Sequence, residues 1–403
     1  MSEDKPKPKE EEIQKDADGK DSPLPIKGNS PELHPGLKGV YIDNTRISFI
    51  DGERGRLYYR GYSIENLAMN STFEEVLFLL IYGYLPSRYE LFSLKDTLRA
   101  ERDLPDRVLM ILKSFPRETT RIEILRTVIS ALSLFDPEDY DYSTEANIRK
   151  GLRIIAKIPT ILSYSHRIKS NLPVIEPSDD FSHAGNFYYM MTGKVPDKDI
   201  ESAFDKALIL QSEHGSNASS FAARVTVSTL SDIYSAVVSA IGTLRGSLHG
   251  GANEKVILML KEIGEPERAE EYVMEKLNRK ERVMGFGHRV YNKVMDPRAK
   301  IYRDLSTYWC EKSGNQWLIE ISDILEKVME REKGLRPNVD FYSASFSYSI
   351  GLPILLFTPL FAASRSAGWV AHTIEQLENN VLIRPRLQFN GDLDRPYRPI
   401  DDR

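Results

Sequence analysis

The chain has 403 residues, 41% of them hydrophobic, which is enough to bury one large core and a smaller second one. Its formal net charge of −5, with no dense run of Lys or Arg, excludes a global attraction to nucleic acid. The lone Cys310 excludes an intramolecular disulfide framework and a cysteine zinc site, and suits a reducing cytosol.

Met1 to about Asp21 is crowded with Lys, Glu and Asp, contains Pro6 and Pro8, and has no aromatic residue. Such a stretch buries too little apolar surface to offset its ordering entropy, so residues 1–37 are expected to form a disordered, solvated extension. It lacks an apolar signal core, so no export is expected and the chain is placed in the cytoplasm. Short strands are expected at Val40–Asp43, Ile47–Ile50 and Leu57–Tyr59, the last two joined by a turn at Asp51-Gly52 in a small hairpin.

Beyond Tyr62 the apolar spacing is close to three and four residues almost throughout, the mark of helices packed on a core. Phe73–Ile81, Ile122–Leu132, Ile148–Tyr164, Asp199–Leu210 and Ala218–Thr243 all follow it. The last stretch is rich in Ala, Ser and Gly, so its helices can pack closely within one chain or between two. The longest apolar run, Ile350–Ala363, is too short to span a bilayer and contains Pro353 and Pro359, so no membrane partner is expected. The polar end, Asn390–Arg403 with Pro396 and Pro399, is expected to be an extended arm.

Chemistry-bearing residues are set into this helical background in chain order. Ser212-Glu-His-Gly-Ser-Asn-Ala-Ser219 places His214 among hydroxyl and amide donors. Gly246-Ser-Leu-His-Gly-Gly-Ala-Asn-Glu254 holds His249 between glycines just before a helix. There, backbone can approach a ligand closely and the positive helix end keeps an imidazole neutral. Gly285-Phe-Gly-His-Arg-Val-Tyr291 repeats the device with His288, followed by Asp296-Pro-Arg298. Arg336-Pro-Asn-Val-Asp-Phe-Tyr-Ser343 puts Asp340 just past a proline and between apolar residues, a setting that desolvates a carboxylate and raises its pKa toward a useful base. Arg365 lies in a small-residue helix, and Arg384-Pro-Arg386 follows. Each of these alone has a plain alternative: a histidine satisfying backbone groups in a turn, or an arginine in a surface ion pair.

Together and in this order, the segments resemble the citrate synthase family and its relative 2-methylcitrate synthase. The resemblance runs from about Gly36 to the end of the chain. It includes Ile50-Asp-Gly-Glu-Arg-Gly-Arg-Leu-Tyr-Tyr-Arg-Gly-Tyr-Ser-Ile-Glu65 and Gly368-Trp-Val-Ala-His-Thr-Ile-Glu-Gln376. The family's spacings are kept between His214 and His249, between Asp340 and Arg365, and between Arg365 and Arg384. Two departures stand out: Gly215 follows His214 where the family usually has Glu, and the stretch from His288 to Arg298 is one residue longer than usual.

The resemblance implies a mainly α, two-domain fold: a large helical domain (38–251 and 344–403, ending in the C-terminal arm), an inserted small helical domain (252–343), and a small N-terminal β element. It implies a Claisen-type condensation of acetyl-CoA with oxaloacetate, then hydrolysis of the citryl thioester to citrate and CoA. Asp340 would be the base, His249 the donor to the thioester oxygen, and His288 the group that polarises the ketone. His214, Arg298, Arg365 and Arg384 would bind oxaloacetate, the arginines as bidentate forks for its carboxylates. Val283-Met-Gly-Phe-Gly287 would receive the adenine of CoA, with Arg289 and Lys293 toward its phosphates. CoA and its acyl form would be substrate and product, with no bound metal or permanent cofactor. A homodimer is implied, Arg384 of each subunit completing the other's site.

Three alternatives stay open. A propionyl-CoA-using 2-methylcitrate synthase, or an enzyme of dual specificity, carries the same motifs. A zinc hydrolase could draw ligands from His214, His249 and His288, although there is no H-E-x-x-H pair. A non-catalytic CoA-binding protein would have no need of a base.

Overall fold

The computed structural model describes residues 32–291 and 294–403. Most of the N-terminal extension, residues 1–31, and Lys293 lie outside the described residues. The residues Thr45–Ile383 form one compact unit, and the described residues before it form a second unit with Arg384–Arg403.

In the larger unit, β1 (Ser48–Asp51), β2 (Arg56–Tyr59) and β3 (Tyr62–Ser63) form a three-stranded antiparallel sheet in that order. The register pairs Ser48 with Tyr59 and Asp51 with Arg56. Asp51 closes the intervening turn by accepting the Arg54 N–H at 2.9 Å, and Gly55 takes φ 64, a left-handed conformation that suits glycine. The expected hairpin therefore forms, with β3 as an unexpected third strand. Val40–Asp43, expected as a strand, is not one. Its side chains are exposed, Tyr41 97% so, and β-prone residues with no ladder partner make no strand.

Sixteen α-helices follow among the described residues. The helix Phe73–Tyr82 opens with a reciprocal Thr72–Glu75 capping box and closes on Gly83 in the left-handed region. Arg121–Ser133 opens with the same device, from Thr120 and Glu123. The stretch 218–243 is two helices, Ala218–Ser228 and Ile233–Leu244. Leu230 at φ 65 turns the chain between them, and Asp232 caps the second by accepting the Ser235 N–H.

The centre of the core is the helix Phe357–Glu378, nearly every residue of which is buried. With the short turn before it, this helix is long and apolar enough to cross a membrane, and 89% of its most apolar window is buried inside the protein. It packs on the long helix Thr144–Lys169, where Val370 Cγ1 lies 2.5 Å from the position a Cβ on Gly151 would take. It also packs on Ala218–Ser228 and Lys198–Gln211, whose neighbouring loops carry His214. Among its described residues the smaller unit contains only 3-10 turns, at Pro35–Leu37 and Ile400–Asp402, and its chain end, Asn390–Arg403, has no α-helix. Leu387 and Tyr397 on that arm are 98% and 82% exposed.

Candidate active site

The helix Lys198–Gln211 ends at the loop Ser212–Asn217, buried from Ser212 to His214, whose last residue caps the next helix by accepting the N–H groups of Ser219 and Ser220. His214 is buried there, its Nε2 3.3 Å from the Tyr291 hydroxyl and its ring 5.2 Å from that of His288. Burial, with Arg298 and Arg365 nearby, holds the imidazole well below its ordinary pKa, so it is neutral.

His288 lies on a loop where Gly285 and Gly287 both have positive φ. Its Nδ1 accepts from the backbone N–H groups of Val290 at 2.9 Å and Tyr291 at 3.2 Å. Burial lowers its pKa to about 4, so the ring is neutral and its one proton is on Nε2, 4.0 Å from Asp296 Oδ2.

Asp296 caps the helix Pro297–Lys312 and is held by Arg298, which donates from Nε at 3.0 Å and from Nη2 at 2.7 Å. Arg298 is thus already neutralised by a buried carboxylate. Arg365 differs. Buried in the core helix, it donates from Nε to the Gln211 carbonyl at 2.7 Å and lies over the Phe361 ring. Among the described residues no carboxylate forms an ion pair with it, and burial lowers its pKa to about 10.

Asp340 sits in the first turn of the helix Val339–Ser349. The preceding Asn338 side chain accepts the Asp340 N–H at 3.1 Å and donates to the Gly287 carbonyl at 3.0 Å. Two backbone bonds, Asn338 N to Gly285 O and Gly287 N to Arg336 O, stitch the Asp340 segment to the His288 loop. Oδ1 of Asp340 is enclosed with no hydrogen-bond partner. Burial pushes the carboxyl up to about 7, with Asp296 adding to the rise and Arg298 and Arg365 opposing it.

His249 precedes the helix Ala252–Ile263, its Nε2 2.9 Å from Ser219 Oγ. The Trp369 indole N–H donates to that Oγ at 3.1 Å. The Ser219 hydroxyl itself donates to Asn217 Oδ1 at 2.7 Å, an oxygen that also accepts two backbone N–H groups. Burial and Arg365 lower the His249 pKa to about 4.

The structure therefore gathers His214, His288, Asp296, Arg298, Arg365 and Asp340 into one mutually perturbing group, with Arg365 also reaching His249 electrostatically. Arg384 lies in the smaller unit and is exposed. In the stretch Val283–Gly287, Val283 is buried and Met284 and Phe286 rest on the core. A Cβ on Gly285 would lie 2.7 Å from Phe341 Cδ2, so the protein's own packing demands that glycine.

His214, His288 and Asp296 offer ligand atoms within 4.8 Å of one another, the one such cluster of three or more among the described residues. His249 is outside it, so this is not the three-histidine set a zinc hydrolase would use. Arg298 already claims both Asp296 oxygens, and a guanidinium there opposes a cation.

Sequence reasoning missed a buried relay behind the loop. Glu213 accepts from Ser48 Oγ at 3.0 Å and from the Gly215 N–H, and its Oε1 lies 3.1 Å from His372 Nε2. His372 Nδ1 is 3.0 Å from Arg224 Nη1, which also donates to Glu375. An arginine only donates, so Nδ1 is the acceptor and Nε2–H donates to Glu213. Burial would raise the Glu213 carboxyl, but His372 and Arg365 hold it below the usual range. Arg365, Trp369, His372 and Gln376 recur at four, three and four residues along one helix, a polar stripe that periodicity alone could have revealed.

Residues 36–386 match the family described as citrate synthase, C-terminal domain. The citrate synthase of Haloferax volcanii is 48% identical over 379 residues, covering 93% of this chain and 100% of that one. A citrate/2-methylcitrate synthase of Bacillus subtilis is 41% identical, covering 89% and 96%. A solved ternary complex of carboxymethyl coenzyme A and oxaloacetate with citrate synthase from Thermoplasma acidophilum superposes with a TM-score of 0.88, at 35% identity, over 93% of this chain and 100% of that one.

Proposed function

The chain belongs to the citrate synthase family, and we propose that it condenses acetyl-CoA with oxaloacetate and hydrolyses the citryl thioester to citrate and CoA. The observation that carries this reading is the Asp340 carboxylate, its Oδ1 enclosed and without a hydrogen-bond partner and its pKa raised to about 7, in the field of the buried Arg365, which has no direct ion-pair partner among the described residues. A base near neutrality can take a weakly acidic methyl proton, and a buried cation with no direct ion-pair partner can hold a substrate carboxylate.

Asp340 removes the methyl proton of the acetyl thioester. His249 donates a hydrogen bond to the thioester oxygen as the enol forms, its ring held in place by Ser219. The enol carbon attacks the ketone of oxaloacetate, which His288 polarises with its Nε2 proton and then protonates. Water hydrolyses the citryl thioester, releasing CoA. Arg365 binds one oxaloacetate carboxylate, His214 adds a contact, and Arg298 acts from its fixed place on Asp296. Residues Val283–Gly287 meet the adenine, and CoA enters and leaves as substrate and product with no permanent cofactor.

We assign residues 252–343 to an inserted small domain, 38–251 and 344–403 to the large one, and the enzyme to the cytoplasm. We also propose a homodimer in which Arg384 completes the partner's site. Supporting it, the outer face of Ala218–Ser228 and Ile233–Leu244 is an open groove of about 530 Å³, lined by small residues such as Ala218, Ala222 and Gly242. Such a face lets helices of two subunits approach closely.

The test of function is thiol release from acetyl-CoA and from propionyl-CoA, each with oxaloacetate. Release from acetyl-CoA at the higher kcat/KM is expected; release from neither overturns the reading and leaves a CoA-binding protein. Faster release from propionyl-CoA would place the chain with 2-methylcitrate synthases, a shift that needs only about 1–3 kcal/mol, the worth of one methylene in an apolar pocket.

The two histidines are separable by calorimetry. His288→Ala is expected to weaken oxaloacetate binding far more than His249→Ala does, because only the first removes a donor to the ketone. The opposite order would mean their roles are exchanged.

A further inference from the structure

Both oxaloacetate histidines lean on the same small hairpin. On its strand side, Ser48 donates to Glu213, and the buried Tyr59 hydroxyl donates to the Glu213 carbonyl at 2.7 Å while lying 3.2 Å from the Glu213 N–H. These bonds fix the residue immediately before His214. On its turn side, Gly52 and Gly55 face the His288 loop. A Cβ on Gly52 would lie 2.7 Å from the Val290 carbonyl oxygen and 2.8 Å from Val290 Cγ1. One on Gly55 would lie 3.1 Å from both the Met295 carbonyl oxygen and Val294 Cγ2.

Val290 is the residue that matters. Its N–H donates to His288 Nδ1, and the next N–H, from Tyr291, donates to the same atom. The Tyr291 hydroxyl lies 3.3 Å from His214 Nε2. The dipeptide Val290-Tyr291 therefore keeps the His288 proton on Nε2 and meets His214, while its other side rests on a turn that has no side chain at residue 52.

We propose that the β1–β2 hairpin is the element that positions His288 against His214, and that Gly52 is a positioning residue for oxaloacetate recognition, acting through Val290. This rests on the reading of His288 as a substrate contact. The role needs glycine for space rather than for backbone freedom: Gly55 has φ 64, whereas Gly52 is not among the residues of positive φ. Alanine at residue 52 is then unstrained in its own backbone, and its methyl group has one effect, to push Val290 away and draw both N–H donors off His288 Nδ1.

Gly52→Ala is expected to raise KM for oxaloacetate about tenfold or more, since sub-ångström displacement of a positioned donor costs that much. KM for acetyl-CoA and the melting temperature of the ligand-free protein should stay near the parent values, and the rise in melting temperature given by oxaloacetate should shrink. Glu53→Ala, in the same turn, should match the parent. An unchanged oxaloacetate KM in Gly52→Ala overturns the proposal, and so does an equal rise in both KM values with a lowered melting temperature, which would show a general folding defect. Should Gly52→Ala fail to fold, Val290→Ala removes the methyl groups resting on the turn and should raise the oxaloacetate KM several-fold; no change there overturns the proposal too. His288→Ala is the reference: if it binds oxaloacetate normally, the site reading itself fails, whereas weak binding in His288→Ala beside parental binding in Gly52→Ala refutes the hairpin's role alone.

Discussion

Asp340→Asn is expected to lower turnover roughly a hundred-fold or more, the usual worth of a positioned base, with oxaloacetate binding little changed. The substitution keeps the shape of a side chain whose Oδ1 has no hydrogen-bond partner to lose, so the deficit reports proton abstraction. Near-parental turnover would end the assignment. The pH dependence follows from the same carboxyl, raised by burial from 3.8 to about 7. As a base it must be ionised, so parent activity should climb as pH rises through about 7 and level off above it. Stability runs the other way. A carboxyl with a raised folded pKa contributes stability that is fully present below the unfolded value and lost as pH rises through the folded one. Asp340→Asn should therefore melt above the parent at pH 8 and close to it at pH 4, which calorimetry at the two pH values would check.

The second large effect is a gain. An Arg384→Ala subunit and an Asp340→Asn subunit, each nearly inactive as a homodimer, are expected to recover activity when exchanged into mixed dimers. If Arg384 serves the partner's site, one of the two sites in a mixed dimer has both residues intact. Equal mixing should then return on the order of a quarter of parent activity, because half the dimers are mixed and half their sites are whole. Mixed dimers, verified by mass, that are no more active than either parent would refute the shared site even if the protein is dimeric.

How much of this was legible in the sequence depended on range. Glycine loops around His249 and His288 and the proline before Asp340 are local devices, and each was readable from a few residues. The fold class followed from helical periodicity, which is also local. Tyr59 and Glu213 escaped notice because their meaning lies in partners more than 150 residues away. Arg298 could be read as a fork for a substrate, but not that Asp296, two residues before it, already holds that fork. Val40–Asp43 has strand-like residues and no strand, since propensity does not supply a neighbour to bond. Gly52 was readable as a turn residue, while the loop it accommodates came into view only with the folded chain.

Arg365 carries a consequence beyond catalysis. A guanidinium enclosed in the core helix with no direct ion-pair partner, only the more distant charges of Glu213 and Asp340, costs the fold some stability, and a dicarboxylate bound on Arg365 as proposed would relieve that cost by completing the ion pair. The substrate would then be a structural component of the protein as well as its feedstock. At a hundredfold excess over Kd, ligand binding adds about 2.7 kcal/mol to the stability of a folded state. A cell with ample oxaloacetate would keep its enzyme resistant to heat and proteases, and a cell short of it would lose the protein sooner, so supply would govern abundance with no regulator in between.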